Sequence, residues 1–280
     1  MKITFLGTGA IGYPFAFCNC ENCTNARKYK GKSLRKKSSI LINDDLIIDL
    51  TTDTQNAMTQ YDKNLGKVKY LLQTHSHHDH FDPNLITSRL SYITDKKQLS
   101  LEIIAHKKCL EVMNKKIYNE EKIGLLTEAE QEKLLVKINS ITEGEELIIG
   151  NYKVKAIQSN HDENEGSLLY LIKSNNKTIF YATDTSILTE KALKDLEKEK
   201  INIVIMDHNF GNVSYYNSHL NEKLFIEQIN KLKELNIINN KTLIYGTHIS
   251  HEGNPYHELA EERAISNGYH IAYDGLEIIL

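Results

Sequence analysis

Only three prolines occur in the 280 residues, and no stretch is rich in proline, glycine and serine together. No linker is therefore visible, and no repeat with a period of about 20–50 residues stands out. We read residues 1–280 as a single domain, a length that layered α/β folds fill as one unit. No apolar run approaches the roughly 20 residues needed to span a bilayer. The opening Met1-Lys2-Ile3-Thr4-Phe5-Leu6-Gly7 is too short an apolar run for a signal peptide. A soluble, cytoplasmic chain with no membrane partner is the expectation. Charge of one sign is also lacking. Lys and Arg number 34 against 37 Asp and Glu, a net charge of −3, so nucleic acid is not an expected partner. Cysteine is scarce, with four residues, yet Cys18, Cys20 and Cys23 fall together. Neighbours this close rarely pair in a disulfide, and metal binding is the better reading. Cys109 stands alone and reads as a small buried hydrophobe.

Short β-like runs are what the chain does have. The early ones are Ile3–Leu6, Ser39–Ile42, Leu46–Leu50 and Val68–Leu72, with Asn43-Asp44-Asp45 as a hairpin turn. Glu102–Ala105, Leu147–Ile149, Tyr152–Ile157, Ser167–Ile172 and Thr178–Ala182 follow, then Ile203–Met206, Thr242–Tyr245 and Glu277–Leu280. Helical spacing aligns Leu220, Leu224, Phe225, Ile229 and Leu232, and also Ala192, Leu193 and Leu196. The Lys/Glu-rich segment from about 106 to 140 reads as a helical insertion, a candidate flap. The basic run Arg27, Lys28, Lys30, Lys32, Arg35, Lys36 and Lys37 reads as a solvated loop before it reads as an attractor of anionic substrates. Strands with helices between them imply sheets covered by helices.

The chemistry concentrates after Val68–Thr74. The apolar run there predicts a buried strand, and His75-Ser76-His77-His78-Asp79-His80 follows it directly. In extended chain, alternate side chains point the same way, so His75 and His77 can face one metal. Asp79 and His80 then require a turn, which carries them toward a second position. Asp82-Pro83 predicts the next helix start. Imidazole with carboxylate suits zinc, manganese or iron better than calcium.

This run resembles the HxHxDH signature of the metallo-β-lactamase superfamily. The resemblance implies an α/β (α+β) fold, a four-layer αββα sandwich with two divalent metal ions at the sheet edge. It also implies a later histidine, aspartate and histidine, each after a strand, and His161, Asp184 and His248 match. On that match His75, His77 and His161 hold one ion, Asp79, His80 and His248 the other, and Asp184 bridges. Asp49 matches the aspartate that orients a histidine ligand.

Gly7-Thr8-Gly9, Pro14 and Cys18-Asn19-Cys20-Glu21-Asn22-Cys23 are similar to the branch that contains the phosphoribosyl cyclic phosphate phosphodiesterase. That resemblance implies a structural zinc on Cys18, Cys20, Cys23 and His251, a closed Cys₃His set. It also implies a general acid at His219, within Asn217-Ser218-His219-Leu220, with His208 as a rival. The implied activity is hydrolysis of a small, even cyclic, phosphodiester by a hydroxide bridging the two ions, with Asp79 and Asp184 orienting it and His219 protonating the leaving group. Other readings remain. One is an RNA-processing nuclease, which this chain's lack of a basic arm disfavours. Another is a lactonase or thioesterase. A third is a metal-bound carrier like the relative in pyrroloquinoline quinone biosynthesis. Oligomeric state, a homodimer included, is open.

Overall fold

The computed structural model describes residues 1–90, 100–214 and 218–280. The first strands are β1 (Lys2–Gly7), β2 (Ser39–Ile42), β3 (Leu46–Ile48), β4 (Tyr70–Leu72), β5 (Leu101–Ala105) and β6 (Val136–Ser140). The later ones are β7 (Glu146–Ile149), β8 (Tyr152–Gln158), β9 (Leu168–Ser174), β10 (Lys177–Ala182), β11 (Ile203–Asp207), β12 (Leu243–Thr247), β13 (His270–Ile271) and β14 (Glu277–Ile279). They form two sheets, in the orders β14-β1-β2-β3-β4-β5-β6 and β13-β12-β11-β10-β9-β8-β7. In each sheet the first half is a hydrogen-bonded meander and the second half is parallel. Thus β3 through β6 pair parallel, as do β10 through β13.

Alternation along the strands sorts side chains between layers. Leu168, Tyr170 and Ile172 of β9 point into the space between the sheets, where they meet Ile40, Ile42, Leu46 and Ile48 of β2 and β3. Leu169 and Leu171 face outward, onto α6 (Glu190–Leu196) and α7 (Glu222–Glu234) through Ala192, Leu196, Phe225 and Ile229. On the opposite outer face Leu41, Ile47, Leu71 and Ile103 pack against α2 (Thr54–Gln60), α3 (Pro83–Thr87) and α4 (Lys107–Glu121). These are the four layers of an αββα sandwich. The expected helix after Asp82-Pro83 is α3, with Asp82 capping it and Pro83 in its first turn.

Two expectations need correction. The segment 106–140 is helical only through α4 and α5 (Glu128–Leu134), and Val136–Ser140 is strand β6 at the sheet edge. The Lys/Glu-rich composition hid it because an edge strand with one wet face carries few apolar residues. The basic run is a solvated loop only in part: Lys30 and Lys32 are exposed there. Its first part closes α1 (Glu21–Tyr29), and Arg35 is 5% exposed, bonded to Thr8, Ala272 and His257. Beside it Gly7 has no space for a side chain, since a Cβ would collide with the Lys37 carbonyl. Among the described residues no helix is long and apolar enough to cross a membrane.

Arg35 reaches His257, the first residue of α8 (His257–Ser266), 3.1 Å from its Nδ1. Burial, with Arg35 and Lys32 nearby, pushes the His257 imidazole down to about 3. Its folded value lies below the ordinary one near 6.5, so the unfolded chain takes up a proton that the folded chain refuses. The stabilisation is complete above pH ~6.5 and is lost as pH falls toward 3. His257→Gln keeps an acceptor for Arg35 without titrating. The variant should lose less melting temperature than the wild type between pH 7 and 5, and equal losses would refute the assignment.

Candidate metal centre

Every candidate ligand of the signature sits beyond the carboxyl end of a strand, on one edge shared by both sheets. Asp49 follows β3, the signature follows β4, and His161 follows β8. Asp184, Asp207 and His248 close or follow β10, β11 and β12. In α/β sheets this is the edge where loops are free to build sites. Asp49, Asp184 and His248 have φ of 62°, 54° and 60°. L-residues rarely adopt that left-handed backbone, and its use at three strand ends turns these side chains back over the edge.

The ring nitrogens converge in two sets. His75 Nε2 is 3.1 Å from His77 Nδ1, which is 3.3 Å from His161 Nε2. In the second set His80 Nε2 is 3.3 Å from His248 Nε2, and Asp79 Oδ2 lies 3.5 Å from each of them. Asp184 stands between. Its Oδ2 is 3.6 Å from His75 and His161 Nε2, and its Oδ1 is 3.1 Å from His80 and His248 Nε2. Each carboxylate oxygen thus faces one set. The structure brings together all seven sequence-predicted active-site residues.

The sets suit metal on three counts. Nitrogens about 2.0–2.1 Å from a tetrahedral zinc stand about 3.3 Å apart, the spacing seen here. Asp184 Oδ1 is buried without a hydrogen bond, a cost that a cation would remove. The pocket also calls for positive charge. Burial alone would lower the His80 imidazole, yet Asp184, Asp79 and Asp49 hold it well above its ordinary value. Burial would likewise raise the Asp79 carboxyl, but His80 and His248 keep it well below the usual range.

Behind four of the histidine ligands stands a second group. Asp49 accepts from His80 Nδ1 at 2.7 Å and from the Thr74 amide and hydroxyl, and Thr74 Oγ1 is 3.0 Å from His75 Nδ1. His161 Nδ1 donates to the Ser218 carbonyl, and the Asn209 amide lies 3.0 Å from His248 Nδ1. Buried Gln73 donates to Asp49 and to the carbonyls of His75 and His80, which fixes the curl of the signature loop. Asp49 was expected from the sequence. Gln73, Asn209 and Asp207 were not given roles, and their one signal was a polar residue at a strand end.

His219 lies beside both sets, its ring stacked 5.1 Å from His248 and tilted 4.8 Å from His161. Its Nδ1 donates to fully buried Asp207 at 2.7 Å. Burial would lower this imidazole, but Asp207 overrides it and raises it to about 9. Asn217 of the same motif lies outside the described residues. His208 is elsewhere, buried against Asn254 and Tyr269, so it cannot take the role considered for it.

Cys18, Cys20, Cys23 and His251 form a separate cluster with all four ligand atoms within 4.8 Å of one another. Cys20 caps α1, and its sulfur is 3.5 Å from His251 Nδ1. Burial disfavours the Cys20 thiolate, but the Cys23 amide and His251 lower the thiol to about 7, toward the form a metal binds. Backbone bonds from Ile249 to Thr8 and from Ala10 to Ile249 tie this loop to the one bearing His248.

A beta-lactamase superfamily domain model matches residues 46–249, which include both active-site sets. Among solved structures, the chain is similar to a diphosphatase of the PhnP family, at 20% identity and TM-score 0.74 over 99% of this chain and 96% of that one. It is similar to zinc-bound PqqB from Methylobacterium extorquens, at 15% identity and TM-score 0.68 over all of both chains. The short form of human tRNase Z shares 16% identity at TM-score 0.65, over 100% of this chain and 99% of that one. No curated protein matches the chain. With its donor sets assembled and the family model covering most of its length, the chain belongs to the beta-lactamase superfamily and is a metal-dependent hydrolase.

Proposed function

We propose that the chain hydrolyses a small phosphodiester at a site for two divalent ions, zinc or manganese, with iron as a third choice. The observation that carries this reading is Asp184, whose two oxygens face the two donor sets one each, beside the charged His219–Asp207 pair. Two ions bound there would lower the pKa of a water and neutralise charge on the phosphoryl oxygens. His75, His77 and His161 would hold one ion, Asp79, His80 and His248 the other. Asp79 and Asp184 orient the nucleophile from the buried side of the site. His219 Nδ1 is committed to Asp207, so Nε2 carries the proton that goes to the leaving oxygen. The Cys₃His cluster would hold a third, structural zinc, since four protein donors leave no open position.

The general acid fits a phosphodiester, because an alkoxide leaving phosphorus needs a proton. The named diphosphatase and tRNase Z neighbours act on phosphorus as well. Complete donor sets argue against a carrier role.

Purified protein supplied with manganese or zinc should turn over bis(p-nitrophenyl) phosphate, and His77→Ala should abolish that turnover. Zinc-loaded protein should carry three ions per chain, and Cys23→Ser two. A fully loaded preparation with no phosphodiester turnover would sink the reading and move the search to lactones and thioesters.

A further inference from the structure

The two active-site sets differ in how they are held. The second set has two carboxylates and two imidazoles. Its side chains are 10% exposed at Asp79 and 0%, 3% and 1% at His80, Asp184 and His248. The first set has three imidazoles and only the other oxygen of Asp184. Its His77 side chain is 35% exposed. Less negative charge and more water at His77 both weaken the hold on a cation.

The histidines also differ on the side away from the metal. His75, His80, His161 and His248 each have that nitrogen against a hydroxyl, carboxylate, carbonyl or amide within 3.1 Å. For His77 the remote nitrogen is Nε2, because Nδ1 faces the metal position. What it meets is Asp162 Oδ2 at 3.4 Å, and Asp162 directly follows the ligand His161. A ring that gives its Nδ1 lone pair to a metal must keep its proton on Nε2, and a carboxylate there fixes both tautomer and rotation.

The turn that presents Asp162 is pinned. Asp162 Oδ1 accepts from the amides of Asn164 and Glu165. Glu165 takes a hydrogen bond from the Ser76 hydroxyl, between His75 and His77. Lys108 of α4 holds the Glu163 carbonyl at 2.7 Å. At Gly166 φ is +62°, and a Cβ would collide with the His106 ring. Asp162 is therefore carried to His77 by the backbone rather than by a free side chain.

We infer that Asp162 is the positioning residue for His77, and that the three-histidine position it serves is the first of the two active-site positions to release its metal. This rests on the two-ion reading proposed above. Lost partners of this kind cost about 10–100-fold in metal affinity, and the exposed geometry points to the lower figure.

The test is release of zinc from loaded protein into a graded chromogenic chelator. His77→Ala identifies the phase that belongs to the three-histidine position, and Cys23→Ser identifies the structural ion. In the wild type the first active-site ion to leave should be the one missing in His77→Ala. Asp162→Ala should move that phase alone by about 10-fold. Asp162→Asn, which keeps one oxygen acceptor, should move it less. The unchanged second and structural ions report that the fold is intact. A wild-type phase in Asp162→Ala, an equal shift of the second ion, or release of the second ion first would overturn the inference. Wild-type protein that binds fewer than two active-site ions would overturn the two-ion reading itself, and the inference with it.

Discussion

Exchanging Asp184 for asparagine should lower phosphodiester turnover by roughly 10³-fold or more and leave the active site short of at least one ion. Asp184 is 2% exposed, and its two carboxylate oxygens face the two donor sets, one each. An amide in its place removes one negative charge and turns an N–H toward one of the sets. An ion on that side would then lose a ligand and meet a donor it could not bind. Several kcal/mol of charge stabilisation at the reacting phosphoryl group go with it, which sets the scale of the rate loss. Metal analysis and steady-state rates on the same preparation check both halves. A variant that holds both active-site ions and keeps its rate within tenfold would show that Asp184 does not bridge.

The second large effect depends on the leaving group. His219→Gln should slow hydrolysis of an alkyl ester, such as a ribose cyclic phosphate, by about 10²–10⁴-fold. The same change should barely affect bis(p-nitrophenyl) phosphate. A nitrophenolate departs without a proton, whereas an alkoxide requires one. Asp207→Asn should follow the same pattern, because Asp207 holds His219 Nδ1 at 2.7 Å and raises its value to about 9. The sign of the pH dependence follows. The acid form is complete at neutral pH and is lost as pH rises through about 9, so the wild-type rate on alkyl esters should fall there. Equal losses on both substrate types would assign His219 to binding rather than to proton transfer.

Much of this site could be read along the chain because its information is local. His75, His77, Asp79 and His80 lie within six residues after an apolar strand, so their spacing alone states the chemistry. His161, Asp184 and His248 were reached through the rule that ligands follow strands, together with the family signature. The strands were likewise legible as short apolar runs with helices between them, while the two-sheet sandwich came from the family signature. The β6 strand escaped because it offers only Val136 and Ile138 as apolar residues, at the end of a Lys/Glu-rich stretch.

Partnership is what the sequence could not state. His208 and His219 are equally polar neighbours of strand β11, yet one is sealed against Tyr269 and the other rests on His248. Arg35 looks like one more cation in a basic run, yet it is buried under the N-terminal loop. Asp207, Gln73, Asn209 and Asp162 carry no mark of their roles, since each role includes a contact with a residue 12 or more positions away. The sequence by itself determined the ligand types, most of the strands and the rule that ligands follow them. Which nitrogen faces which carboxylate was decided only when the two sheets packed, because hydrogen bonds and metal geometry act over about 3 Å and have no counterpart in spacing along the chain.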